Sequence, residues 1–162
     1  MTPEMVEKAR ENAKKNEIRN VEFSLGEIED LPIADDLVDV VISNCVINLS
    51  ADKPRVFHEI YRVLKPGGRI AISDTALLKD IPQKIRDNID MYVSCIGGAI
   101  LVDEYKKIVE ASGLKGVKVT FRDSSYVDPN TIAQIGRDSS DGLGEDESLE
   151  GYVINIFVEG YK

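Results

Sequence analysis

The sequence predicts an α/β fold on a mainly parallel sheet, and three stretches carry that prediction. Val38-Asp39-Val40-Val41-Ile42 and Arg69-Ile70-Ala71-Ile72-Ser73 are short and β-branched, the composition of strands buried on both faces. Between them Val56, Ile60, Val63 and Leu64 recur at helical spacing and give one apolar face. A helix, a Lys65-Pro66-Gly67-Gly68 stop and a strand in this order form half of a crossover unit, and crossovers join parallel strands.

The elements follow in order. Thr2 before Pro3 is a cap and first-turn signal, and Pro3 to Asn16 reads as a helix with Met5, Ala9 and Ala13 at apolar positions. Val21-Glu22-Phe23-Ser24-Leu25 alternates as a strand does and is closed by Gly26. Glu27 to Asp36 is an acidic loop, and the Val38 strand follows it. Ser50-Ala51-Asp52-Lys53-Pro54 starts the next helix, which Pro66-Gly67-Gly68 ends because proline cannot continue it. Ile81 to Tyr92 and Val102 to Ala111 read as helices, and Val117 to Phe121 as a strand. Asp138 to Glu150 is a Gly-, Ser- and acid-rich exposed loop, and Tyr152 to Val158 is a long closing strand.

At 162 residues, with 43% hydrophobic and 30% charged side chains, the chain reads as one soluble domain, residues 1–162. A net charge of −9 argues against nucleic acid as a partner, because phosphate binding relies on Lys and Arg. No apolar run spans a bilayer and no signal pattern opens the chain, so the expected compartment is the cytoplasm, with no membrane partner. Two cysteines do not make a disulfide framework, so Cys45 and Cys95 are expected as free thiols.

Three segments in this order and spacing resemble successive motifs of the class I methyltransferase fold: Gly26-Glu27-Ile28-Glu29-Asp30-Leu31-Pro32, Val38 to Asn44, and Leu64-Lys65-Pro66-Gly67-Gly68-Arg69. Asn44-Cys45-Val46-Ile47-Asn48-Leu49, together with Tyr92-Val93-Ser94-Cys95-Ile96-Gly97-Gly98-Ala99, is similar to the arsenite methyltransferases in particular. The resemblance implies a Rossmann-like sheet with helices on both faces and an antiparallel C-terminal strand. It implies S-adenosyl-L-methionine as cofactor and As(III) as a small-molecule substrate. Cys45 and Cys95 are then the arsenic ligands and the catalytic pair, and Glu27, Ile28 and Asn44 the cofactor-binding residues.

The chemistry supports this assignment independently. Trivalent arsenic is soft and prefers thiolate sulfur, so its site needs converging cysteines. Cys45 falls just beyond the carboxyl end of a parallel strand, where open α/β sheets place their ligands, and a loop before Gly97-Gly98 can bring Cys95 over the same edge. The arsenic lone pair can attack the sulfonium methyl directly, so no general base is needed.

Plainer readings stand beside these. Free cysteine is commonly a buried structural residue, Glu27 can be one more solvated acid, and Asn44 and Asn48 can be turn residues. His58, the only histidine, falls on the helix side away from the apolar stripe, and Gly67-Gly68 is a turn with a packing role.

The Gly-x-Gly-x-Gly turn that the family uses for the methionine end of the cofactor does not occur in this sequence, which gives the expectation of a truncated, partial methyltransferase domain. With the family's sheet order 3-2-1-4-5-7-6, five strands remain and the middle of the sheet opens. Either the Val21 strand pairs with the Val38 strand, or a second chain covers the apolar edge, and a homodimer is expected. The alternatives to an arsenite methyltransferase are a non-catalytic fragment and a methyltransferase acting on another small molecule.

Overall fold

The computed structural model describes residues 2–122 and 151–162, so the acidic stretch from Asp138 to Glu150 lies outside the described residues. The elements are α1 (Pro3–Lys15), β1 (Val38–Asn44), a 3-10 turn (Ile47–Leu49), α2 (Lys53–Val63), β2 (Leu64–Leu77), α3 (Gln83–Arg86), α4 (Ile89–Val93), α5 (Val102–Ala111), β3 (Lys115–Arg122) and β4 (Val153–Tyr161).

Among the described residues the strands form one sheet in the order β1-β2-β4-β3. β1 and β2 are parallel, and β4 runs antiparallel to both β2 and β3. Three strands therefore share one direction, and the closing strand is inserted between two of them with opposite sense. The fold is α/β on a mixed sheet.

One face of the sheet carries the main core. Ile70, Ile72 and Ala76 of β2 and Ile156 and Val158 of β4 pack with Val56, Phe57 and Ile60 of α2 and with Tyr105 and Val109 of α5. Phe57 and Tyr105 meet edge to face at 5.6 Å. Each of the fully buried Ile, Val and Phe side chains contributes about 1.5–3 kcal/mol. A second cluster joins Leu77 to Ile81, Ile85, Ile96 and Ala99, with Val153 packed against it. Since Leu77 and Val153 alternate with Ala76 and Ile154, the helical segments after β2 cover the opposite face at its carboxyl end.

The capping signals are used as read. The Thr2 side chain accepts from Met5 N–H at 3.3 Å, and Asp52 caps α2 through Arg55 N–H at 3.0 Å. Several expectations are corrected. Val21 to Leu25 joins no ladder and does not pair with β1, so four strands rather than five form the sheet among the described residues. An extended segment needs a neighbouring strand to satisfy its N–H and C=O groups, and here it lies against α1, where Arg10 Nη2 donates to Phe23 O at 2.7 Å. β1 is not buried on both faces: Val41 packs on the core, whereas Val40 is exposed and Ile42 is 78% exposed. The helix expected from Ile81 to Tyr92 is two short pieces, α3 and α4, interrupted at Asp87 and Asn88.

The Pro66-Gly67-Gly68 stretch lies inside β2, after α2 has ended at Val63. Val38 pairs with Leu64 and Val40 with Arg69, so the extra residues are accommodated as a bulge. Gly67 takes φ +81°, and its N–H donates to Lys162 O at 3.0 Å. A Cβ on Gly68 would lie 2.9 Å from Lys65 O and 3.1 Å from Asp39 O, so the second glycine does have the packing role read from the sequence.

Candidate active site

The site starts where β1 ends. Cys45 N–H donates to Ser73 O at 2.9 Å, adding one more bond to the parallel ladder. The backbone then turns at Cys45 with φ +52°, a left-handed conformation that costs a non-glycine residue on the order of 1 kcal/mol. This turn leads into the 3-10 turn, which is held down by fully buried Ile47 and Asn48. Asn48 Nδ2 donates to Asp74 Oδ1 at 2.9 Å and to Thr75 O at 2.6 Å.

Cys95 follows α4 and is also left-handed, at φ +66°. It is buried, whereas Cys45 is half-buried, and both are free thiols. The Cys95 Sγ–H donates to Cys45 O at 3.1 Å, so the two cysteines, fifty positions apart, share one locus at the sheet edge. Tyr92 OH donates to Leu49 O at 2.7 Å and ties the same two loops together.

Gly98 makes this approach possible, while Gly97 lets the chain after Cys95 pass close to α3 and α4. A Cβ on Gly97 would lie 2.9 Å from the Tyr92 backbone, and one on Gly98 would lie 2.0 Å from Asn48 O. Only a residue without a side chain fits between the Cys95 loop and the Cys45 loop.

A buried polar cluster backs the pair. Asp74 accepts from Asn48, from Thr75 N–H at 3.0 Å and from Tyr105 OH at 3.1 Å. Burial pushes its carboxyl up to about 6, against the lowering effect of the Thr75 and Tyr105 bonds and of Lys53. Burial and the nearby Asp74 also raise the Tyr105 phenol. Lys53, itself buried, donates to Ser50 O at 3.1 Å, and burial lowers its ammonium. The Cys95 thiol is pushed up to about 11, first by burial and then by Cys45 and Asp74, so it is protonated near neutral pH.

The loop from Glu27 to Asp36 approaches from the other side. Glu27 is exposed and forms an isolated bridge with Asp30, while Ile28 is half-buried against the core. Asn44 is exposed at the end of β1, in register with Ser73. The loop is gripped by α2: Glu59 accepts from Leu31 N–H at 2.9 Å, and Arg62 donates to Leu31 O at 3.0 Å and to Ile33 O at 2.7 Å. Glu59 is buried, and the Arg62 guanidinium holds its carboxyl down at about 2. Ser50 Oγ donates to the Glu29 carboxylate, so this loop and the thiol loop are joined by a side-chain bond.

His58 is exposed, as read. Among the described residues no group of three or more His, Cys, Asp or Glu side chains is placed to hold a metal ion, and no helix is long and apolar enough to cross a membrane. A cavity of about 760 Å³ opens between α1 and the segment from Glu17 to Leu25, and none of its lining residues belongs to the thiol site.

A sequence family described as a methyltransferase domain matches residues 1–113, from α1 through α5, the stretch that carries both cysteines. The chain belongs to the methyltransferase domain family. Within it, the chain is 50% identical over 125 residues to the arsenite methyltransferase of Halobacterium salinarum, a match covering 77% of this chain and 32% of that protein. It is 28% identical over 149 residues to the demethylmenaquinone methyltransferase of Listeria welshimeri, covering 86% of this chain and 63% of that one. The crystal structure of the arsenic(III) S-adenosylmethionine methyltransferase from Chlamydomonas reinhardtii superposes with a TM-score of 0.70 at 29% identity, covering all of this chain and 53% of that one. The chain thus spans about a third of the length of the Halobacterium relative.

The methyltransferase fold brings together Cys45 and Cys95, the residues singled out in the sequence. Among the described residues no hydrogen bond joins Glu27 or Ile28 to either cysteine; they reach the thiol loop through the neighbouring Glu29. Sequence reading missed Asp74, Thr75, Tyr105 and Lys53. The available signal was the polar run Ser73-Asp74-Thr75 near the end of an otherwise apolar buried strand, since buried polar groups there must have partners.

Proposed function

We propose that this methyltransferase methylates trivalent arsenic with S-adenosyl-L-methionine as methyl donor, and that Cys45 and Cys95 are its ligands to the substrate. The observation that carries the reading is the Cys95 thiol seated 3.1 Å from the Cys45 carbonyl, with Gly98 leaving room for the Cys45 loop. Two thiols at one locus suit a soft, thiophilic centre. Exchange with arsenous acid needs no thiolate at equilibrium: each As–O bond is replaced by an As–S bond, and the thiol proton leaves with hydroxide as water. A neutral, buried Cys95 is compatible with that stoichiometry.

The cofactor supplies an electrophilic methyl group when bound. The donor set of the described residues fits its adenine end: Glu27 offers an exposed carboxylate that can accept from the exocyclic amino group, Ile28 an apolar surface for the ring, and Asn44 an amide at the β1 terminus. The chain's own work is to hold arsenic by two sulfurs and to keep the loops that carry substrate and cofactor in fixed relation, through Ser50 and Glu29.

The reading extends to a single domain over residues 1–162, a cytoplasmic setting suited to free thiols, and a homodimer formed over the open β1 edge, where Val40 and Ile42 are exposed. Sedimentation equilibrium checks the dimer, and a monomer at micromolar concentration contradicts it. The catalytic reading is tested by calorimetry with the cofactor and by methyl transfer to arsenite. Heat at high micromolar cofactor is expected, and its absence reduces the chain to a non-catalytic arsenic binder. A second reading, methylation of another small molecule, draws on the Listeria match and is favoured if the chain binds the cofactor but arsenicals bind equally well without either cysteine.

A further inference from the structure

We propose that Thr75, backed by Asn155, is the positioning residue for the Cys45 sulfur. This inference rests on the reading of Cys45 as an arsenic ligand. Cys45 Sγ lies 3.7 Å from Thr75 Oγ1, and Thr75 Oγ1 donates to Asn155 Oδ1 at 3.4 Å. The three residues form a polar row across the sheet, from the end of β1 over β2 to β4, where Thr75 and Asn155 are directly paired.

Thr75 is built to stay where it is. It is buried, its N–H donates to Asp74 Oδ1 at 3.0 Å, and its carbonyl accepts from Asn48 at 2.6 Å. Its β-branched side chain has few rotamers to choose among on a strand. Cys45, by contrast, is half-buried in a left-handed turn, and its sulfur is met there by the Thr75 hydroxyl.

The hydroxyl has one proton and two acceptor lone pairs. With its proton on Asn155 it can only accept from the Cys45 thiol, which aims the sulfur. When the sulfur gives up its proton, either to solvent or to the hydroxide displaced from arsenic, the same hydroxyl rotates to donate to sulfur and releases Asn155. One rotor therefore serves both states of Cys45 and keeps the sulfur in place through the exchange.

The test uses the full chain. In a Cys95→Ser background, the rate at which Cys45 reacts with an aromatic disulfide reagent at fixed pH reports on that sulfur alone; a Cys45→Ser background reports on Cys95. Thr75→Val, which keeps the shape and removes the hydroxyl, is expected to slow Cys45 about fivefold, the factor that one hydrogen bond of ordinary strength provides. Thr75→Ser should restore the rate to within twofold, and Cys95 should change less than twofold in either variant. Asn155→Ala, which frees the hydroxyl to donate to sulfur, is expected to speed Cys45 about threefold, and it gives an answer even if Thr75→Val does not fold. Equal slowing of both cysteines, failure of Thr75→Ser to rescue, or an unchanged or slower Cys45 in Asn155→Ala overturns the proposal. With both cysteines present, phenylarsine oxide affinity should fall about fivefold in Thr75→Val. If the native chain does not bind phenylarsine oxide, the arsenic reading falls, while the thiol rates still decide the role of Thr75.

Discussion

Gly98→Ala isolates the contact on which the thiol site depends. Gly98 does not have a positive φ, so alanine is acceptable to the backbone, and the cost comes from space alone. The new Cβ would lie 2.0 Å from Asn48 O and 3.1 Å from Asn48 C, so the Cys95 loop and the Cys45 loop must separate by about 1.5 Å to reach ordinary contact. Asn48 cannot give way cheaply, because its side chain is pinned to Asp74 and Thr75 in the buried cluster. Overpacking of this kind costs about 1–3 kcal/mol. Taking about 2 kcal/mol, the melting temperature should fall by about 6 °C for a chain of this length. If the loops stay apart, phenylarsine oxide affinity should fall about thirtyfold, since 1.4 kcal/mol is a factor of ten. The affinity is read by titration against free thiol in competition, and the stability by thermal unfolding of the same sample. A Gly98→Ala protein with native melting temperature and native affinity would refute the claim that close apposition of these loops builds the site.

Gly67→Ala supplies the opposite case: nothing lies within 4 Å of its added Cβ, but φ is +81°, so it should lose about 1 kcal/mol in urea unfolding while binding phenylarsine oxide as the native chain does. Glu59 is held at about 2, below its unfolded value, so its contribution to stability is present above about pH 4 and is lost as pH falls toward 2. Glu59→Gln should therefore be less stable at pH 7 and show a flatter decline between pH 5 and pH 2.5, measured by urea unfolding. Asp74 has the opposite sign: its folded value of about 6 lies above the unfolded one, so its contribution is fully present below about pH 4 and is lost as pH rises through 6. Asp74→Asn should remove that part of the pH dependence, gaining on the order of 2 kcal/mol relative to the native chain between pH 4 and pH 8, and a parallel pair of stability curves would contradict it.

The local elements were largely legible because their signals are local. Thr2-Pro3 and Asp52 act as caps, and Val102 to Ala111 is α5 to the residue. The errors arise where structure depends on distant partners. Val21 to Leu25 has the alternation of a strand but no neighbour to ladder with, and β1 has strand composition but one uncovered face, so neither burial nor pairing followed from the segment itself. Ile81 to Tyr92 broke into α3 and α4 because its turns are recruited to place Arg86, Tyr92 and Cys95 rather than to continue one helix; Arg86 reaches Ala99 O at 3.1 Å and Tyr92 reaches Leu49 O at 2.7 Å. The cysteines were singled out by the family resemblance of the segments around them, Asn44 to Leu49 and Tyr92 to Ala99, with their places past a strand and before Gly97-Gly98 in keeping with it. Their support was not, because Asp74, Thr75 and Tyr105 come from elements whose register is set only when β2 meets β4 and α5 docks.

The central claim is that Cys45 and Cys95 bind one arsenic atom together. X-ray absorption at the arsenic edge, on the native chain loaded with arsenite in the absence of small thiols, counts the sulfur neighbours directly, with bound arsenic per chain measured on the same sample. One arsenic per chain with two sulfur neighbours is the expected result, falling to one neighbour or to no retained arsenic in Cys45→Ser and in Cys95→Ser. A single sulfur neighbour in the native chain, or two that persist in either variant, would contradict it.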